Sequence, residues 1–477
     1  MNPEFQRNVW KELTTNRLIA LPIILFAIFL TSYLSKNSSI PAVAFVAIVF
    51  LLSLWGTSLT ADAVFEEISE RTWDSQKMTP LGPWSFAWGK LFGCPIFVWY
   101  GALLCVVAIL ISFLIPASNA EPNVTTNIDY YKITLKTIYF LELGLLSQCF
   151  AFFLALLIQR INPVRNRTKV TLIQISAILL ILPLFSLFDL DILETRKVVQ
   201  IQQWYNFPVQ FSLFYIGSVA VFIGWCVLGI YRFLRSELQI PTAPIIWPLF
   251  ILFFIFFCIG FIHPTIYNPD AKFNQYLPSV SSLYLCIGFF FTLSFTFISA
   301  FFTPKSAVTL RKWLDSIKLK AWYKAFVLTP PWVVSLFLGL ILGILAIISI
   351  RFAAIENSTV INYATNIIYF IVASFFFLLR DIGILYFVTL NIRSRRGHAT
   401  TIVYLALLYF LLPVLLAALP ASRYTELLVM PISWLSLDYK IASSAIETNS
   451  MLILVLVEAL IAWALVMKRW RSIYHRI

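Results

Sequence analysis

Charge is what this chain has least of. Only 12% of its 477 residues are Asp, Glu, Lys or Arg, about half the share of a soluble domain, so a soluble globular protein is excluded. Histidine is nearly missing, with His263, His398 and His475 as its three copies. No Gly-x-Ser-x-Gly and no His-Glu-x-x-His pattern occurs, which leaves hydrolase and zinc-protease chemistry without residues to run on. A phosphate-cradling loop is also missing. The nearest stretch, "GPWSFAWGKL" (82–91), has the wrong glycine spacing and a Leu after its Lys. The six cysteines lie far apart inside apolar runs with no Cys-x-x-Cys; they read as small apolar side chains, not as metal ligands or disulfides. The chain is expected to be no enzyme and to bind no metal.

What is present is apolar length. Hydrophobic residues make up 60% of the chain, mean hydropathy is +0.86, and Phe alone occurs 44 times. Windows of about 18–25 apolar residues, each long enough to cross a bilayer as a helix, recur at 17–34, 40–62, 91–116, 134–158, 170–190, 210–233, 245–262, 280–302, 332–350, 366–391, 399–419 and 450–467. The expected fold is all-α, a polytopic membrane protein of about twelve transmembrane helices. With the N-terminus in the cytoplasm, about 25 Lys and Arg fall in inside stretches against 9 outside, which places both termini in the cytoplasm. The net charge of +13 is thus topological, and no nucleic-acid partner is expected. The first apolar run is followed by "SKNSSIP", with no cleavage site, and reads as a retained anchor.

Two short echoes divide the chain. "KMTPLGPWSFAWGKLFG" (77–93) and "VLTPPWVVSLFLG" (327–339) share Thr-Pro, then Pro-Trp, then an apolar run. "LELGLL" (141–146) is echoed by "RDIGIL" (380–385), and each is followed by a basic cluster. Offsets of about 250 and 239 residues separate an even number of spans, the signature of a parallel repeat. Residues 1–240 and 241–477 are therefore read as two pseudo-repeated six-helix halves.

Between the second and third runs lies "FEEISERTWDSQKMTPLGPWSFAWGKL" (65–91), an acidic island. Val64, Phe65, Ile68 and Thr72 recur at helical spacing, with Glu66, Glu67, Glu70, Arg71, Asp74 and Lys77 around the remaining face. The order Glu67 then Arg71 favours an i,i+4 pair. Thr79-Pro80-Leu81-Gly82-Pro83 ends the helix. An acidic helix on the cytoplasmic side is repelled by anionic headgroups. It is either a solvated loop or a surface for a protein partner that donates positive charge.

The same stretch resembles permease subunits of type 2 class ABC exporters. In that family an acidic-Arg-Thr element, a Thr/Ser-Pro turn and a Gly-Lys before the third span form the cytoplasmic gate and coupling region. The resemblance implies that Glu66, Glu67, Glu70, Arg71, Thr72 and Asp74 face an ATPase subunit, and that Thr79, Pro80, Gly89 and Lys90 form the gate turn. It also implies that ATP and Mg are bound on that partner rather than on this chain, and that the location is the bacterial cytoplasmic membrane. The opening "PEFQRNVWKELTTNR" (3–17) is similar to the family's amphipathic connecting helix. The chain departs from the family pattern by carrying two six-span units, where family members often carry one and dimerise; a second permease copy is a further candidate partner. The second half's counterpart, "PKSAVTLRKWLDSIKLKAWYKAF" (304–326), is basic and suits a helix lying on anionic lipid.

Four ionisable residues fall inside apolar runs: Glu142, Arg380, Asp381 and Glu458. Such charges are costly and are paired or functional. They fix helix packing, line a path, or serve as an ion site. The expected function is an ATP-driven exporter's membrane subunit, with an ion-coupled secondary carrier as the alternative.

Overall fold

A computed structural model describes residues 2–35, 40–70, 72–78, 81–114, 130–161, 167–193, 201–240, 242–266, 279–305, 307–356, 361–390, 397–417, 427, 431–434 and 445–474. The chain is an all-α polytopic membrane protein. Among the described residues, eleven helices are long and apolar enough to cross a membrane, and a bent pair supplies a twelfth. They agree with the apolar windows because run length alone sets a span.

The elements begin with α1 (Pro3–Glu12), α2 (Thr15–Leu34), α3 (Ile40–Ser69), α4 (Thr72–Lys77), α5 (Pro83–Gly93), α6 (Ile96–Leu114), α7 (Tyr130–Ile161) and α8 (Arg167–Leu193). A short hairpin of β1 (Ile201–Trp204) and β2 (Phe207–Gln210) follows. Its two turn residues, Tyr205 and Asn206, both have positive φ, 50° and 65°, the hand that suits a two-residue hairpin. Then come α9 (Phe211–Glu237), α10 (Ile246–Ile266), α11 (Val280–Phe302), α12 (Ala307–Lys318), α13 (Trp322–Leu328), α14 (Pro331–Glu356), α15 (Ile361–Thr389), α16 (Gly397–Leu415) and α17 (Ala445–Tyr474).

The chain forms two compact units, residues 1–202 with 208–242 and residues 203–207 with 243–477. In the first, α7 is the central helix and packs against α3, α8 and α9. In the second, α15 lies against α14, α16 and α17, and α11 packs along α14. α7 and α15 are the most buried spans, at 56% and 50%, and they carry "LELGLL" and "RDIGIL" respectively.

The third span is broken where the sequence gives one run. α5 and α6 meet at 56°, at Cys94-Pro95. Proline has no amide hydrogen and its ring crowds the carbonyl four residues back, so the helix cannot pass straight through. α5 thereby becomes a separate elbow helix.

A second irregularity lies in α3. Residues Phe50–Trp55 form a π-helical turn. Gln148 on α7 donates to the Leu52 carbonyl at 3.1 Å, and Gln174 on α8 donates to the Leu54 carbonyl at 2.9 Å. Gln148 also accepts from Trp99 Nε1 at 2.9 Å and is fully buried. Gly56 makes room for it, because a Cβ there would lie 2.3 Å from Gln148 Nε2. Backbone polar groups at membrane depth need protein partners, and these two amides supply them. Replacing Gln148 by Leu is expected to cost about 1–3 kcal/mol, the penalty of orphaned buried groups. Thermal melts in detergent would show it; a variant as stable as the parent would refute this role for Gln148.

The connection 421–450 is described only in part. There Trp434 is fully buried, donates to the Leu427 carbonyl at 2.8 Å, and packs with Ala373, Phe377 and Val455. That side chain is part of the protein core, not an interfacial anchor.

Candidate functional site

The N-terminal end of the first unit concentrates the ionisable groups. α1 starts with Asn2 as its N-cap, whose side chain accepts from the Glu4 amide, and Pro3 opens the first turn. It lies along α5. Two glycines on α5 permit the approach: a Cβ at Gly89 would meet Glu4 Cβ at 2.7 Å, and one at Gly93 would meet Asn8 Cβ at 2.9 Å. The Gly-x-x-x-Gly spacing is a close-packing signature that the sequence reading passed over. Asn8 donates to the Gly89 carbonyl at 3.1 Å, and Asn2 to the Ser85 carbonyl at 2.5 Å.

Through that contact runs an ion network. Lys90, 1% exposed, lies 3.1 Å from Glu4 Oε1 and also bonds Glu67 Oε2. Arg7 reaches Glu4 at 2.8 Å and Glu67 at 2.5 Å. Lys11 bonds Glu66 at 2.8 Å. Burial pulls Lys11 down, but that bond and the surrounding carboxylates outweigh it and leave its pKa raised. Glu66 and Glu67 are therefore matched by the chain's own α1 and α5, and the positive charge assigned to a partner is in part internal.

The remaining acids point elsewhere. α3 ends at Ser69 and α4 begins at Thr72, so the expected single amphipathic helix is two pieces with Glu70 as the cap between them. Thr72 donates to the Glu67 carbonyl at 3.1 Å. Trp73 is the inward residue of α4: it is 4% exposed, edge-on to Phe86 at 5.5 Å, with Lys90 Nζ 5.7 Å above its ring. Glu70, Asp74, Ser75 and Met78 are exposed. Of the gate turn, Thr79 and Pro80 lie outside the described residues, and so does Arg71 of the coupling set. Gly89 and Lys90 are interior to helix α5. The change of direction comes at Pro95, for the reason given above.

Three charges inside the spans of the second unit meet. Arg380 bonds Asp381 at 3.2 Å, Glu458 at 2.9 Å and Tyr409 Oη at 3.0 Å. Tyr409, on a π-helical turn Leu407–Leu411 of α16, donates to Asp381 Oδ2 at 2.6 Å. The cluster joins α15, α16 and α17 and satisfies the guanidinium from three sides, the arrangement expected of a helix-packing lock. Glu142 differs from Asp381, its counterpart in the sequence: its Oε2 is buried with no hydrogen-bond partner among the described residues.

Lys305, just beyond α11, donates to the Phe301 carbonyl at 2.9 Å and lies 3.2 Å from His398 Nε2. Burial pushes it from 10.5 down to about 7. Between those values the unfolded chain holds more protons than the folded one, so stability should rise as pH goes from about 7 towards 10.5. Melts of the parent at pH 7 and 9.5 should show this gain, and Lys305→Met should lack part of it; equal gains in both would refute the assignment.

No family model, no curated protein and no solved structure matches this chain.

Proposed function

We propose that this protein is the membrane-spanning subunit of an ATP-driven ABC exporter, working with a separately encoded ATPase. The observation that carries the reading is α4. It is a short helix that exposes Asp74 and turns Trp73 inward, seated beside Lys90, with exposed Glu70 just before it. Around that lysine α1, the base of α3 and the elbow α5 are fastened together. A force on α4 passes through Trp73 into a charged cluster that cannot yield piecemeal without stranding a buried charge. Closure of a nucleotide-bound ATPase against Glu70 and Asp74 would shift α3 and α5 as one body and open a path by alternating access. In this reading the acidic end faces the cytoplasm of a bacterial cell, and ATP and Mg are bound by the partner.

The ion-coupled carrier has one observation in its favour, the buried Oε2 of Glu142 with no hydrogen-bond partner among the described residues, since an intramembrane carboxylate of that kind suits an ion site. Purification of the full chain from its own membranes in mild detergent separates the two. The exporter reading expects a retained P-loop ATPase whose hydrolysis vanadate stops. Purified chain that retains no ATPase, with a proton or sodium flux abolished by Glu142→Gln in proteoliposomes, would favour the carrier.

A further inference from the structure

A groove of about 560 Å³ runs between α2 and α3. Its walls are apolar, with Leu25 and Ile28 from α2 and Ala47, Phe50 and Trp55 from α3. Of its lining residues only Glu12 and Arg17 are charged, and both sit at the end next to α1. Three observations bear on what fills it.

The first is the wall itself. Ile24, Val46 and Phe50 are each more than half exposed on spans that lie in a bilayer. An apolar cleft there does not suit water, which needs several polar partners; it suits hydrocarbon. The second is the π-helical turn. Phe50 and Trp55 are its first and last residues, and the turn is fixed from behind by Gln148 and Gln174. π turns are rare and concentrate at functional sites, and this one forms part of the groove wall. The third is the mouth. Arg17 Nη1 lies 2.6 Å from Glu12 Oε2, Glu12 is 17% exposed and Arg17 is 50% exposed. The guanidinium has further N–H donors in a fixed fork that matches a phosphate, and the carboxylate beside it has lone pairs for an ammonium.

A plain anionic lipid would meet Arg17 and Glu12 together, attracted by one and repelled by the other. A head that carries phosphate and primary ammonium a few atoms apart answers both. We propose that the α2–α3 groove is a binding site for an ethanolamine-type zwitterionic phospholipid, one acyl chain in the cleft, phosphate on Arg17 and ammonium on Glu12. The site stands apart from the ATPase reading, and its test involves neither nucleotide nor partner.

The test uses the full chain in nanodiscs of zwitterionic choline lipid, doped with a phosphatidylethanolamine or a phosphatidylglycerol that carries a photoreactive acyl chain. Labelled peptides are then mapped. Ethanolamine lipid should label residues 20–28 and 43–55 about tenfold more strongly than the exposed face of α14 at Ile341, Ile344 and Ile348, and more strongly than glycerol lipid does. Val46→Trp, at a position 67% exposed and so unable to disturb the core, should remove that excess. Glu12→Gln should keep the groove label while erasing the preference for ethanolamine over glycerol. Even labelling along all spans, a groove label untouched by Val46→Trp, or equal labelling by the two lipids in the parent would each overturn the proposal.

Discussion

Lys90→Met is expected to destabilise the first unit by about 3–5 kcal/mol, the cost of breaking a buried ion pair by removing one partner. Lys90 is the cation shared by Glu4 and Glu67, and all three are at most 12% exposed. Its loss strands two carboxylates against α5. Arg7 can answer only in part, because its own side chain is 48% exposed and already bonds both acids. Replacing Lys90, Glu4 and Glu67 together by Met, Leu and Leu should cost far less, since no buried charge is then stranded and Arg7, which loses both acids, is 48% exposed to water. The measurement is thermal loss of monodisperse protein in detergent, with proteolysis of α1 as a local readout. A single Lys90→Met variant that melts with the parent, and keeps α1 protected, would show that the network holds nothing.

Glu70→Lys with Asp74→Lys should abolish retention of the proposed ATPase partner, by tenfold or more, without moving the melting temperature. Both side chains are exposed, so reversing them costs the isolated chain little. At an interface, each reversal turns an attraction into a like-charge contact, which costs several kcal/mol when desolvated. Glu66 and Glu67 are the wrong residues for this experiment, because their reversal would break the chain's own pairs with Lys11, Arg7 and Lys90. Lys318→Glu with Lys320→Glu, on and after the basic helix α12, is the control and should leave retention unchanged. Equal retention by parent and Glu70/Asp74 variants would remove α4 from the docking surface.

The spans were legible because apolar length is a local property, and each run of the sequence carries its own evidence. The break in the third span could have been read from Pro95; the long apolar run on its far side concealed it. The amphipathic α1 was visible in "PEFQRNVWKELTTNR", and Gly89 and Lys90 were both singled out, but their roles were not. Lys90 bonds residues 23 and 86 positions away, and no local pattern says which acids an isolated lysine will meet. The same holds for Arg380, whose partners Tyr409 and Glu458 lie 29 and 78 residues on. Gln148 and Gln174 were not singled out. An amide inside "LLSQCF" or "TLIQIS" is itself a signal, because a side chain of that kind at membrane depth must have a partner. The π-helical turns they and Tyr409 serve leave no trace in composition.

The central claim is that α4 docks a nucleotide-burning partner. Site-specific crosslinking tests it most directly, with a photoreactive residue placed at Asp74, Ser75 or Met78 of the full chain in its native membranes. The account expects crosslinks from all three positions to a P-loop ATPase, strengthened when ATP is trapped by vanadate. Crosslinks to lipid alone, or none at all, would contradict it.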